Sequence, residues 1–311
     1  MRRGAHPWIR TDLPGSRYIF YKYANDEQLG FLAEHEMAEI KQTDVYISLG
    51  APLNVRELSG IDPSRISTRT KALGPLTEWR IDRTRWVIFI YPTESLAQEA
   101  EMSLEEFEDF VYKACLVDWK EVTASLQQLK KVVDAADNVE IVSGDTHLKF
   151  SVKGRISVAA NGDKNMPDGE LFTSIVEDSV NGNIRFDVPA IMFGNVMEDI
   201  TLNFEKGRVK DAKAVKNQAF LEKMLATDEG AKRIGELGIG FNYGITRSVK
   251  NILFDEKIGG TIHMALGSGY KETLSQNKSA IHMDIIKDLR TDGEVYFDGK
   301  LVMKNGKWQA A

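Results

Sequence analysis

Residues 137–153, DNVEIVSGDTHLKFSVK, mark a change in the texture of the chain. From Asp137 onward, short β-branched and aromatic runs dominate: 139–143, 148–153, 183–188 and 200–204. The turn pairs Asn161-Gly162, Asn181-Gly182 and Lys206-Gly207 punctuate them, the usual signature of successive strands. Helix signals return at 219–226 and around Ala231, and the tail 294–308 reads as strands joined at Asp298-Gly299 and Asn305-Gly306. A β-rich α+β domain over 137–311 is the expectation.

Upstream, the pattern is different. Residues 43–49 (TDVYISL) and 86–91 (WVIFIY) read as buried strands, with a charged helix-plus-loop stretch at 62–85 between them. Ser103 and Glu106 have capping-box spacing, and Phe107, Phe110, Val111 and Ala114 then recur on one helical face. A second helix is expected over about 122–133. Strands alternating with helices predict an α/β N-terminal domain, residues 1–136.

The 311 residues suit two domains, and 42% hydrophobic content allows a sizeable core. A net charge of -6 disfavours nucleic acid and anionic membranes as partners, since both call for a basic face. No run is long enough to span a membrane, and MRRGAHPWIR lacks the apolar segment of a signal peptide. The single cysteine, Cys115, excludes an intrachain disulfide and lies in register with the apolar helix face, which predicts a core thiol. Together these features point to a cytoplasmic protein.

The strongest chemical signal is Ile281-His282-Met283-Asp284-Ile285. On a strand, side chains alternate, so His282 and Asp284 share a face while their apolar neighbours fill the core. An imidazole and a carboxylate side by side suit a divalent ion. His263 follows Gly259-Gly260 and precedes Gly267, glycines that allow close backbone approach. Glu236 is set among small and apolar residues in GELGIG, a costly place for a charge without a partner or a metal. Glu170 closes the turn-rich NMPDGE, where a solvated loop glutamate is the default, and Tyr270 lies within reach of His263 in sequence. Other chemistries fit poorly. Ser179 and Ser279 lie in no nucleophile elbow, GELGIG lacks dinucleotide-loop spacing, and Gly267-Ser268-Gly269 has no following lysine.

The blocks NMPDGELFTSIVEDSVNG, GAKRIGELGIG, LFDEKIGGTIHMALGSGY and NKSAIHMDII resemble the signature segments of the M29 family of metallo-aminopeptidases. LAQEAEMSLEEFEDFVYKA and DTHLKFSVKGR also resemble it, so matches run from about Gly4 to Trp308 in the family's order. The resemblance implies a metal-dependent aminopeptidase acting on peptide substrates. Its two divalent ions (zinc, cobalt or manganese) would be held by Glu170, Glu236, His263, Tyr270, His282 and Asp284. It points to Glu236 as the bridge between ions. Glu236 or Glu170 would be the general base, and Tyr270 either a ligand or an oxyanion donor. Glu256 is a weaker candidate for holding the substrate α-amine. Family members are homodimers with a longer N-terminal region that helps enclose the cavity, so this chain is expected to be a homodimer with a more open one. Another two-metal amide hydrolase (a dipeptidase or deacetylase) and a non-catalytic metal-binding relative are the alternatives.

Overall fold

The computed structural model describes residues 4–309. Three sheets organise the described residues. The first is parallel. Val45–Gly50 runs beside Arg85–Ile90 with Val45 opposite Arg85, and the helices Pro63–Ala72 and Gly74–Arg83 make the crossover that a parallel pair requires. Asp62 caps the first of these helices by accepting the Ser64 amide, and Pro63 occupies the first turn, where its missing N–H costs nothing. Both expected strands are present, but the expectation of full burial is corrected. Val45, Ile47 and Leu49 are exposed, because the crossover leaves one face of this strand uncovered among the described residues. The third strand, Asn165–Met166, comes from far along the chain and pairs in parallel with Arg85–Ile90. It carries the backbone out of this sheet and directly toward Glu170.

The helix Leu104–Cys115 begins at the expected capping box, with the Ser103 hydroxyl accepting the Glu106 amide and the Glu106 carboxylate accepting the Ser103 amide. Its apolar face packs Phe107, Phe110, Val111, Ala114 and Cys115 against Ile245, Val249, Phe254 and Ile258. Cys115 is a core thiol, and burial pushes it up to about 12, which removes it from nucleophilic chemistry at ordinary pH. The Asn242 side-chain amide, fully buried, donates to the Ala114 and Asp168 carbonyls. The segment 241–258 is thereby fastened between this helix and the site.

The second sheet has nine strands, among them Asn138–Ser143, Thr146–Ser151, Asn181–Phe186, Asn195–Glu205 and the tail hairpins. Its inner face packs with the helix Trp119–Asp134 around Leu126, Ile141, Leu148, Ile184 and Leu202. Asn181-Gly182 is not a turn, as its composition predicts, but the start of a strand. A side chain at Gly182 (φ 113°) would lie 2.1 Å from the His147 carbonyl oxygen, so glycine is required by close strand approach instead.

The third sheet is antiparallel throughout. Its order is His282–Asp288, Thr261–Gly267, Ile234–Gly240, Glu170–Thr173, Val158–Ala160. Its strands Thr261–Gly267 and Ile234–Gly240 are buried at every residue, and the sequence-predicted site residues lie on the sheet or at its margin.

Candidate metal centre

Register decides which side chains meet. Asp284 pairs with Ala265, which pairs with Glu236. His263 pairs with Gly238, Gly267 with His282, and Gly240 with Glu170. Paired residues share a face and every second residue along a strand returns to it, so these five polar side chains rise from one face. Each stands across from a glycine or an alanine, which leaves room for them. The clearest case is Gly238: a Cβ there would fall 1.9 Å from Cε1 and Nε2 of His263, so the imidazole lies directly over that glycine. The alternation expected at 281–285 holds, with Ile281, Met283 and Ile285 in the core. Glu170 is not a solvated loop residue but the buried first residue of a strand.

The hydrogen bonds set the tautomers. Nδ1 of His263 lies 3.0 Å from the Glu256 carbonyl oxygen, and Nδ1 of His282 lies 2.6 Å from that of Ser268. A carbonyl only accepts, so both Nδ1 atoms carry the hydrogen. Each Nε2 then faces carboxylates: His263 is 3.3 Å from Glu170 Oε2 and 3.4 Å from Glu236 Oε1, and His282 is 3.7 Å from Glu236 Oε2 and 3.3 Å from Asp284 Oδ1. Glu236 thus reaches both imidazoles. Glu170 Oε2, Glu236 Oε2 and Asp284 Oδ1 are buried with no hydrogen-bond partner among the described residues. Lone pairs aimed at buried carboxylates repel unless a cation lies between them or the imidazoles are protonated. This is the donor set and backbone-anchored histidine arrangement of a divalent-ion site, and the residues fit one.

The electrostatics agree. Burial raises the carboxyls of Glu170 and Glu236 above the ordinary range. Burial alone would lower His263, but the Glu236, Glu170 and Asp284 carboxylates outweigh it and push the imidazole up to about 10. Asp284 goes the other way: burial opposes ionisation, yet the neighbouring His282 imidazolium holds it well below the usual carboxylate range. A cluster that holds protons this tightly without metal must release them to bind one, so metal affinity is expected to rise with pH below about 10 and fall in acid. Each proton released is worth about tenfold in affinity per pH unit. Titration calorimetry of metal-free protein with Mn²⁺ at several pH values checks this, and a pH-independent affinity would refute it.

Tyr270 lies past the end of its strand, partly exposed, with its ring 5.2 Å from the His282 ring and 5.4 Å from that of Phe172. Burial and the nearby Glu236, Asp284, Glu256 and Glu170 carboxylates push its hydroxyl well above the ordinary value. Glu256 enters the cluster: its carboxylate can share an ion with His263 and Asp284. Two residues escaped the sequence-based reading. Lys257 is fully buried, paired with Glu256 and 3.4 Å from Glu170 Oε1. Asp168 is fully buried behind Glu170, and burial raises it to about 6. The only sequence signal for Lys257 is a lysine next to the apolar, glycine-rich IGG.

Two backbone-anchored imidazoles and four carboxylates, with Tyr270 beside them, form a candidate metal centre. The chain belongs to the thermophilic metalloprotease family (M29), whose profile matches residues 1–308. It is 27% identical to aminopeptidase 2 of Geobacillus stearothermophilus over 94% of this chain and 87% of that one. It is 29% identical to aminopeptidase AmpS of Bacillus subtilis over 81% and 73%. In structure it resembles wild-type AmpT of Thermus thermophilus, with a TM-score of 0.81 and 21% identity over 94% of this chain and 84% of that one. A dioxygenase from Pseudomonas putida KT2440 shares the fold more loosely, with a TM-score of 0.57 and 16% identity over 93% of this chain and 99% of that one. The fold alone therefore does not fix the chemistry, and the site must.

Proposed function

We propose that this chain is a two-metal aminopeptidase that releases N-terminal residues from peptides, with Glu170, Glu236, His263, His282, Asp284 and Tyr270 as its metal-binding and catalytic residues. The observation that carries this is the pair of Nε2 atoms aimed at carboxylate oxygens that lack donors. Charge counting supports two ions. Asp168, Glu170, Glu236, Glu256 and Asp284 face a single buried ammonium, Lys257, leaving four negative charges when the imidazoles are neutral. Buried charge of that size is prohibitively costly uncompensated, and two divalent cations balance it. When bound, such ions acidify water and polarise a carbonyl.

The protein's own groups do the rest. Glu236, with one oxygen toward each imidazole, is placed to serve both halves of the centre and to take a proton from water. Tyr270, its ring 5.2 Å from that of His282, would donate from its hydroxyl to oxygen as charge develops on a substrate carbonyl. One Glu256 oxygen is engaged by Lys257, which counts against a role as a free anchor for the α-amine. Residues 137–311 act as the catalytic domain in this reading, with peptides as substrates and a homodimer as the assembly. No helix among the described residues is long and apolar enough to cross a membrane.

Exhaustive chelation is expected to abolish hydrolysis of an aminoacyl-nitroanilide, and Zn²⁺, Co²⁺ or Mn²⁺ to restore it. Dipeptide and acetylated substrates assayed in parallel separate an aminopeptidase from a dipeptidase or deacetylase. Full activity in verified metal-free protein would overturn the reading.

A further inference from the structure

We propose that Lys257 is a positioning residue of the centre: by holding Glu170 Oε1, it leaves that glutamate a single oxygen, Oε2, to offer a metal ion. This rests on the metallo-aminopeptidase reading and extends it to a residue outside the candidate ligand set.

The geometry divides the two Glu170 oxygens cleanly. Oε1 lies 3.4 Å from the Lys257 ammonium. Oε2 lies 3.3 Å from His263 Nε2, is buried, and has no hydrogen-bond partner among the described residues. The ammonium is fully buried, so water does not compete for it, and its other partner is the Glu256 carboxylate. Its origin is fixed as well. The Lys257 amide donates to the Phe254 carbonyl at 3.0 Å, its carbonyl accepts the Asn242 amide at 2.9 Å, and Phe254 packs against Phe107 and Phe110. Burial opposes its charge, but the neighbouring Glu170, Glu256 and Asp168 carboxylates outweigh burial and favour the cation.

The same short segment performs a second task. The Glu256 carbonyl accepts the His263 Nδ1–H, so residues 256–257 orient one histidine through the backbone and one glutamate through the side chain. A carboxylate free at both oxygens can chelate one ion or swing between two. A carboxylate with an ammonium at one oxygen is biased toward binding an ion through the other, which would leave a position at the ion for water and substrate.

The test is the visible spectrum of Co²⁺-loaded protein, which reports coordination number. Lys257→Met removes the ammonium with little change in length, and Lys257→Gln keeps a neutral donor. The expected result is that Lys257→Met takes up Co²⁺ in the wild-type ratio while its d–d absorption weakens several-fold, as Glu170 closes on the ion with both oxygens. Turnover should fall with it while KM changes little, and Lys257→Gln should lie between the two. If both variants are folded by circular dichroism and their spectra match the wild type, the positioning role is refuted. If neither variant folds, Lys257 is a structural counter-ion and the proposal also falls. Wild-type protein that takes up no Co²⁺ would instead remove the metallo-aminopeptidase reading on which this inference depends.

Discussion

Gly238→Ala is expected to reduce turnover by about a hundredfold or more while leaving the chain folded. The position is a strand residue with no turn to make, where an alanine is ordinarily tolerated. Its importance comes from what lies across the ladder. Gly238 pairs with His263, and the methyl carbon of an alanine would sit 1.9 Å from two atoms of the imidazole. No real contact is that short, so the ring or the strand must shift. The ring has little freedom, because its Nδ1–H is committed to the Glu256 carbonyl and the residue is buried on a strand buried at every position. Turning the ring breaks that bond and takes Nε2 away from Glu170 and Glu236. Metal occupancy should therefore fall together with turnover, whereas far-ultraviolet circular dichroism should not change. A Gly238→Ala protein with a full metal complement and normal turnover would show that His263 is not a ligand.

How much of this was legible in the sequence depends on how local the cause was. His282 and Asp284 share a face because of strand alternation, a property of five consecutive residues, and the structure has them so placed. Cys115 and the Ser103 cap likewise follow from one helical face and one three-residue spacing. Glu170 gains weight as a ligand candidate only through the family resemblance. Its preceding NMPDGE reads as loop, and nothing local says that the chain enters a sheet beside Ile234–Gly240 at that residue. Lys257 was missed for the same reason. A lysine between a glutamate and glycines looks solvated until the fold buries it against Glu170, 87 residues earlier in the chain. The uncovered Val45, Ile47 and Leu49 are the converse case: an apolar run correctly read as strand, whose burial depended on a layer that no local pattern encodes.

Glu236→Gln is expected to lower turnover by about two to four orders of magnitude with a much smaller change in KM. The substitution preserves shape and one carbonyl oxygen, so the strand Ile234–Gly240 and its register should survive. What it removes is charge at the one carboxylate that reaches both imidazoles, 3.4 Å from His263 and 3.7 Å from His282. The new amide nitrogen offers hydrogens where an oxygen offered lone pairs, so one side of the centre loses an acceptor as well as a negative charge. A neutral amide at working pH accepts no proton from water either. If Glu236 mainly helps to hold ions, metal content should fall in step with turnover and excess metal should partly restore it. If it mainly accepts the proton, metal content should stay near the wild-type value while turnover remains low at every metal concentration. Asp284→Ala supplies the contrast, because Asp284 lies within ion-pair distance of His282 but not of His263, and its loss should act through occupancy. A Glu236→Gln enzyme with near-normal turnover and two bound ions would remove Glu236 from the mechanism.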